Sequence, residues 1–429
     1  MSPGSLGEWL DYLEQRQPES TVELGLERVG AIADTMNLRK PAQQCVLVAG
    51  TNGKGSTCVF IEALFLAGGY SVGCTVSPHL DAFNERVRID GLPASDLLIV
   101  QAFGVVEQAR QQTPNSPHLS YFEFTFLAAL EVFRTRNVDV CVLEIGLGGR
   151  LDAANLVHPD VSVITSIGID HEAFLGNDRE TIAIEKAGIM RRGITCVYGE
   201  VDMPQNIARC AQKTGAKMRR KGIDFSQHQT VDDWSFSNNR KQQFGGLPLP
   251  AISVLNAATA VEATLQLIPV TRETVAQACV EVKMPGRFEQ AQYRGLNLLI
   301  DVAHNPDAAK FLRNQLCSIA AVERTVCIVG FLSGKNVSGI VEVMKETMDE
   351  WIFVDTGRPE NMARAQSAAK SASLAMQQLV DCKAPSKCMR TVSQALNYYL
   401  NATQLPDRVV IMGSFDVVQK THELLKSEN

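Results

Sequence analysis

The chain has 429 residues, more than one hydrophobic core usually organises, which points to two domains. It is 45% hydrophobic and 21% charged with a formal net charge of -6, a globular composition without the basic surplus a nucleic-acid backbone requires. No apolar run is long enough to span a bilayer, and Met1-Ser2-Pro3-Gly4-Ser5 opens no signal peptide, so neither nucleic acid nor membrane is an expected partner and a cytoplasmic location is expected.

In chain order, the run Cys45-Val46-Leu47-Val48-Ala49 predicts a buried strand, followed by a glycine turn and a helix from about Ser56 to Ala67. Further strands are expected at Val138-Asp139-Val140-Cys141-Val142-Leu143 and at Val161-Ser162-Val163-Ile164-Thr165. Continuous apolar runs, rather than strict alternation, mark strands covered on both faces, as in a parallel sheet with crossover helices. Between Lys217 and Pro250 the text turns polar and rich in Gly and Pro, which reads as exposed hairpins and loops. A boundary is expected near Met284-Pro285-Gly286-Arg287, and beyond it a second α/β series: Leu298-Leu299-Ile300, Thr325 to Val329, Trp351 to Val354 and Val409 to Met412. The expected division is a first domain over 1–285, a linker over 286–295 and a second domain over 296–429. The 11 cysteines are scattered, without C-x-x-C pairs, and read as small buried hydrophobes in a reducing compartment.

The turn Gly50-Thr51-Asn52-Gly53-Lys54-Gly55-Ser56 has the strand–turn–helix context of a phosphate-binding loop. Its backbone N–H groups and helix N-terminus attract an anion, Lys54 reaches the outer phosphates and Ser56 offers a hydroxyl. The spacing departs from G-x-x-x-x-G-K-[ST]: Val48 stands at the first glycine position and Gly55 separates lysine from hydroxyl. Three other expected strands end in polar text: Ser77-Pro78-His79-Leu80, Glu144-Ile145-Gly146-Leu147-Gly148-Gly149-Arg150-Leu151-Asp152, and Thr165-Ser166-Ile167-Gly168-Ile169-Asp170-His171. In an open parallel sheet ligands gather beyond the carboxyl ends of the strands, so these segments mark a site.

G-T-N-G-K-G-S, S-P-H-L, E-x-G-L-G-G-R-L-D, T-S-I-x-x-D-H, E-K-A-G-I, P-G-R-F and D-V-A-H-N-P occur here in one order, from about Leu6 onward. In that order the chain resembles the folylpolyglutamate synthase/dihydrofolate synthase group of the Mur ligase superfamily. The resemblance implies a mostly parallel Mur-ligase-like P-loop domain followed by a smaller Rossmann-like α/β domain. It also implies ATP-dependent joining of L-glutamate to dihydropteroate and to tetrahydrofolate, through an acyl phosphate, with release of ADP and phosphate. A monomer is implied as well.

By the same resemblance Thr51, Asn52, Gly53, Lys54, Gly55 and Ser56 hold the phosphates, and Asn256, Arg287, Asp301 and His304 complete the nucleotide site across both domains. Ser77, Glu144 and His171, with Ser56, are implied ligands of magnesium, two ions in all; Ser and Glu suit a hard cation, whereas His is less usual. Lys186 falls on the lysine that CO2 converts to a carbamate in this superfamily, which makes it an anion able to hold or orient the second ion. Lys54, Glu144, His171 and Lys186 are thus the implied catalytic set. For the pterin the resemblance implicates Thr21, Val22, Glu23 and Leu24 with the following Gly25-Leu26-Glu27-Arg28, then Ser120, Tyr121, Phe122 and Glu123, and Leu151, Asp152 and Ala153. An aromatic side chain stacks on a flat ring, and a carboxylate accepts from its N–H groups. Glutamate is assigned to the second domain, near Ser333-Gly334-Lys335 and Gly413-Ser414-Phe415.

Three readings compete. A monofunctional folylpolyglutamate synthase shares every motif except that the retained pterin segments favour two activities. A P-loop kinase or a nucleotide-binding regulator shares the first loop but needs none of the later motifs. A cell-wall Mur ligase needs an N-terminal UDP-sugar domain, for which the roughly forty residues before the first strand are too few.

Overall fold

The apolar runs form the centre of two sheets, one in each of two units, Met1–Lys283 and Met284–Asn429. The computed structural model describes residues 3–357, 362, 364–382 and 384–428.

In the first unit the strands are β1 (Gln44–Ala49), β2 (Val72–Thr75), β3 (Val87–Ile89), β4 (Leu92–Pro93), β5 (Val140–Glu144), β6 (Val161–Ile164), β7 (Thr195–Tyr198) and β8 (Lys217–Arg220). Among the described residues they make one eight-stranded sheet in the order β4-β3-β2-β5-β1-β6-β7-β8. From β2 to β8 the pairs are parallel; β3 and β4 add an antiparallel edge. β1 and β5 are buried on both faces, as their unbroken apolar text requires. Strand order reverses at β1, so the ends of β5, β1 and β6 flank a switch point where an open sheet leaves a crevice.

The helix after β1 runs Lys54–Ala67, two residues earlier than expected, and is buried almost all round from Ser56 to Phe65. It packs against the helices Val254–Thr264 and Arg272–Glu281 as well as the sheet. Two buried carboxylates ride on these helices and are paired: Glu62 with Arg88 at 2.8 Å and Glu262 with Arg219 at 2.6 Å. Either charge left alone would carry a heavy desolvation cost, so the pairing is obligatory. The stretch from Lys217 to Pro250 begins with β8 of the main sheet. It continues as an antiparallel meander of β9 (Phe225–Gln229), β10 (Asp233–Asn238) and β11 (Gln243–Pro248), with Trp234 and Phe236 buried.

The second unit holds a six-stranded sheet of β12 (Glu289–Tyr293), β13 (Leu296–Asp301), β14 (Thr325–Gly330), β15 (Glu350–Val354), β16 (Ser386–Met389) and β17 (Arg408–Gly413). Its order is β12-β13-β17-β14-β15-β16, parallel except for the β12–β13 hairpin. The stretch 286–295 was expected as a linker; instead it carries β12, paired residue by residue with β13 from Glu289–Ile300 to Tyr293–Leu296. Alternating half-buried and exposed residues and the tight turn at Arg294-Gly295 explain why this edge strand read as a connection. The described cysteines are free, most of them buried; Cys317 and Cys388 are exposed.

Candidate active site

The glycine turn is built by close approach. Gly50 has φ +155°, and a Cβ there would stand 1.8 Å from Thr165 Oγ1. Gly53, at φ +81°, begins the helix Lys54–Ala67, and its missing Cβ leaves room for the Asn256 amide, whose Oδ1 would otherwise be 2.5 Å away. The end of β6 holds the turn from the side. Thr51 N donates to Ser166 O (2.8 Å), Asn52 N to Ser166 Oγ (2.9 Å), and Thr165 Oγ1 to Asn52 O (2.6 Å). Thr51 Oγ1 donates to Gly168 O and accepts from Gly168 N, so the T-S-I-G text serves as a brace as much as a ligand strand.

Lys54 lies at the start of the helix with Nζ 3.4 Å from Thr51 O and 4.0 Å from Glu144 Oε1. Glu144 ends β5, is buried, and accepts from Ser77 N through Oε2 at 2.8 Å. Parallel pairing of β2 and β5 in register, Thr75 with Leu143, brings S-P-H-L and E-x-G together over 67 residues of sequence. Ser77 and Glu144 line one cleft, whereas His171 lines the neighbouring one with Gly50, Thr51, Lys54, Asp170 and Lys186. His171 is exposed, in the left-handed region at φ +54°. Ser56 is buried at the first turn of the helix.

Lys186 is 3% exposed on the helix Arg179–Ala187, where a solvated lysine would be the ordinary expectation. Its Nζ donates to Gly50 O at 2.7 Å. Burial, with Lys54 nearby, lowers its pKa to about 7, and Asp170 and Asp152 oppose that shift. The G-L-G-G-R-L-D turn fits tightly over this helix: a Cβ on Gly149 would come within 2.7 Å of Glu185 O, and Arg150 N donates to that same oxygen. A Cβ on Gly188 would meet Arg150 Cα at 2.5 Å, which accounts for glycine in both motifs.

Beside this turn lies the apolar side of the site. Phe122 lines the cleft that holds Ser77 and Glu144, stacks on Phe126 at 6.0 Å, and its ring would contact a Cβ on Gly146 at 2.7 Å. Asp152 is buried and accepts from Leu147 N (2.8 Å) and Ala154 N (2.9 Å); burial nevertheless raises its carboxyl to about 6. Ala153 is buried and Leu151 is half-buried; the Leu151 carbonyl accepts from Gly25 N at 3.1 Å, joining two of the expected pterin segments. Thr21 and Val22 are exposed, Glu23 and Leu24 half-buried.

S-Y-F-E divides by role. Ser120 and Glu123 form a reciprocal capping box that starts the helix Tyr121–Arg136, and Tyr121 is buried against Phe83 and Arg86. Phe122 is the member that faces the cleft. Sequence reasoning passed over Arg86, which is buried, donates through Nε to His79 Nδ1 (2.8 Å) and pairs with Glu19 (2.7 Å). N-E-R after an S-P-H-L turn was the available signal.

The second unit gathers its own candidates. Arg287 lies over the Phe415 ring at 5.4 Å, Phe288 N donates to Asp301 Oδ2 at 2.9 Å, and His304 Nδ1 donates to Val302 O at 2.8 Å. Burial raises the Asp301 carboxyl, and Arg287 opposes the shift. Ser414 is buried at the end of β17, and Gly413 before it has φ +112°.

A doubly wound sheet with a phosphate turn at its switch point, a carboxylate at the adjoining strand end and a second α/β unit defines a Mur-type ligase. The Mur ligase middle domain matches residues 48–288, and the Mur ligase glutamate ligase domain matches 286–415. The dihydrofolate synthase/folylpolyglutamate synthase of Escherichia coli (strain K12) is 37% identical over 98% of this chain and 95% of its own length. That of Haemophilus influenzae is 35% identical over 96% of each. Among solved structures, E. coli FolC in complex with DHPP and ADP superposes with a TM-score of 0.91 at 35% identity, covering 100% of this chain and 99% of that one. A bifunctional folylpolyglutamate synthase/dihydrofolate synthase with Mn, AMPPNP and L-glutamate bound gives 0.88 at 38% identity, over 99% of this chain and 100% of that one. The chain belongs to the dihydrofolate synthase/folylpolyglutamate synthase family of Mur ligases.

Proposed function

We propose that the protein joins L-glutamate to dihydropteroate, and to tetrahydrofolate, with conversion of ATP to ADP and phosphate. The observation that carries this reading is the convergence of the Gly50–Ser56 turn, Lys54, the Ser77–Glu144 pair and buried Lys186 at one switch point of the sheet. The Phe122 cleft and Asp152 beside it support dihydropteroate as a substrate, hence two activities.

In the first step a pteroate carboxylate oxygen attacks the γ-phosphorus while the bond to the β–γ bridging oxygen breaks, giving an acyl phosphate and ADP. The glutamate amine then attacks the acyl carbon, the carbon–oxygen bond to phosphate breaks, and the amine proton is lost to solvent. Such phosphoryl transfer rests on positioning and charge neutralisation. Lys54, with Thr51 to Ser56, serves the phosphates, and Asn256, Arg287, Asp301 and His304 serve the rest of the nucleotide.

The donor set fits a divalent cation. Glu144 is buried, accepts from Ser77 N through one carboxylate oxygen and has the other 4.0 Å from the Lys54 amine, and carboxylate with hydroxyl suits a hard ion. Ser77, Glu144, His171 and Ser56 would hold magnesium, which supplies charge neutralisation at the γ-phosphate. Lys186 is proposed as a carbamate: its buried nitrogen donates to Gly50 O and feels the charge of Lys54, which would favour an added negative group there.

The deciding assay is ADP release by the purified protein. It should require dihydropteroate and glutamate together, and proceed with tetrahydrofolate in place of dihydropteroate. ADP release with either one alone would replace the ligase by a kinase or a simple ATPase.

A further inference from the structure

Both glutamates expected to read the pterin are occupied elsewhere. Glu123 accepts from Ser120 N through Oε2 at 2.8 Å and pairs through Oε1 with Arg28 Nη2 at 3.0 Å. Glu23 Oε1 pairs with Arg28 Nη1 at 2.7 Å, while its other oxygen meets His118 Nε2 at 2.9 Å and Gln17 Nε2 at 3.1 Å. One guanidinium therefore bridges two carboxylates 100 residues apart, the fork geometry that arginine provides and lysine does not.

The bridge lies where the chain needs it. Residues 17–26 form no helix or strand, and Thr21 and Val22 are exposed. Backbone attachment of this segment to the glycine-rich turn comes from Gly25 N donating to Leu151 O at 3.1 Å. Arg28 is on the helix Glu27–Thr35 directly behind it, and Glu123 is 3% exposed on the helix that also presents Phe122 to the cleft. Burial raises the Glu123 carboxyl, and the hydrogen bond from Ser120 N and the charge of Arg28 oppose that shift.

We propose that Arg28 is a positioning residue for the pteroate substrate, clamping the segment Thr21–Leu26 against the helix Tyr121–Arg136 so that its backbone and Phe122 together shape the ring site. The proposal rests on the functional reading above for the identity of the ligand, and on the ion-pair geometry for the clamp. Glu23 and Glu123 then act through Arg28 and not as direct acceptors of the pterin.

The test compares the full-length protein with Arg28→Gln, Arg28→Lys, Glu23→Gln and, as a control, Arg134→Gln, whose pairing with Glu131 is remote from the segment. Arg28→Gln is expected to raise KM for dihydropteroate about tenfold or more, with KM for ATP and for glutamate within about twofold. Glu23→Gln and Arg28→Lys fall between it and the parent, and Arg134→Gln matches the parent. Hydrogen exchange of the ligand-free protein gives a second readout, faster in Arg28→Gln over 18–27 and unchanged over 50–60. An unchanged KM for dihydropteroate, an equal rise for ATP, or unaltered exchange over 18–27 would each overturn the clamp. A parent protein that releases no ADP with dihydropteroate and glutamate would overturn the functional reading instead, and the exchange data would still decide the part Arg28 plays.

Discussion

The Lys186 amine donates to the Gly50 carbonyl at 2.7 Å, which ties the helix Arg179–Ala187 to the first residue of the phosphate turn. A buried amine held against that turn is a support for it, and it is the nitrogen proposed to become a carbamate.

Lys186→Ala is therefore expected to lower kcat by about two orders of magnitude or more, the range for a lost electrostatic group at a phosphoryl-transfer site. Intact-protein mass measured under gentle conditions with bicarbonate should show an added 44 Da (roughly one CO2) in the parent and none in the variant. An unmodified lysine in fully active protein would remove the carbamate.

The reaction with CO2 needs the neutral amine. With its pKa lowered to about 7 by burial, Lys186 holds roughly ten times more neutral amine at pH 8 than at pH 6. Protein stripped of CO2 should thus regain activity on addition of bicarbonate faster at pH 8. The same shift has a sign for stability: a lysine whose folded pKa lies below its unfolded value costs stability at neutral and low pH. That cost is relieved as pH rises from about 7 to about 10.5, so in protein stripped of CO2 Lys186→Met should gain most in thermal stability at and below neutral pH.

Glu144 is proposed to hold the metal and lies 4.0 Å from Lys54. Glu144→Gln keeps the shape and the bond from Ser77 N but loses the charge facing Lys54. It should lower kcat by about two to three orders of magnitude and weaken the dependence on magnesium concentration, with KM for dihydropteroate little altered. Steady-state kinetics across a magnesium titration would check both parts.

Asp152 has its folded pKa raised to about 6 by burial, so it is costly as a charged group and loses stability as pH rises from about 4 to about 6. Asp152→Asn should weaken that pH dependence in thermal melts. If Asp152 accepts from the pterin, the same variant raises KM for dihydropteroate about tenfold while leaving KM for ATP near the parent value.

Gly50→Ala places a Cβ 1.8 Å from Thr165 Oγ1 and 3.2 Å from Ser166 N. The overlap is expected to cost about 1–3 kcal/mol and, with the turn proposed to hold the phosphates displaced, to abolish the stabilisation expected from ATP in a thermal-shift assay.

The two α/β series, the strand ends and the glycine turn were legible because a parallel strand buried on both faces writes itself as a continuous apolar run, and because a glycine turn between strand and helix is local. The stretch 286–295 was misread as a linker since an edge strand, half exposed, lacks that run. S-Y-F-E carried two signals in one text. Its S-x-x-E spacing is a helix start, and only the direction of the helix shows that Phe122 reaches the cleft while Tyr121 enters the core.

From sequence alone came the kind of residue available at each strand end: Lys54 in a glycine turn, Glu144 after β5, His171 after β6, Lys186 on a helix. Tertiary structure decided which of them meet and in what state. Ser77 reaches Glu144 because β2 and β5 pair in register, Lys186 loses its solvent because the G-L-G-G-R turn closes over its helix, and Glu23 and Glu123 spend their charge on Arg28. The reason is physical: burial and pairing are properties of neighbours brought together across the chain, and they, not residue type, determine whether a lysine is a solvated cation or a carboxylate is free to bind.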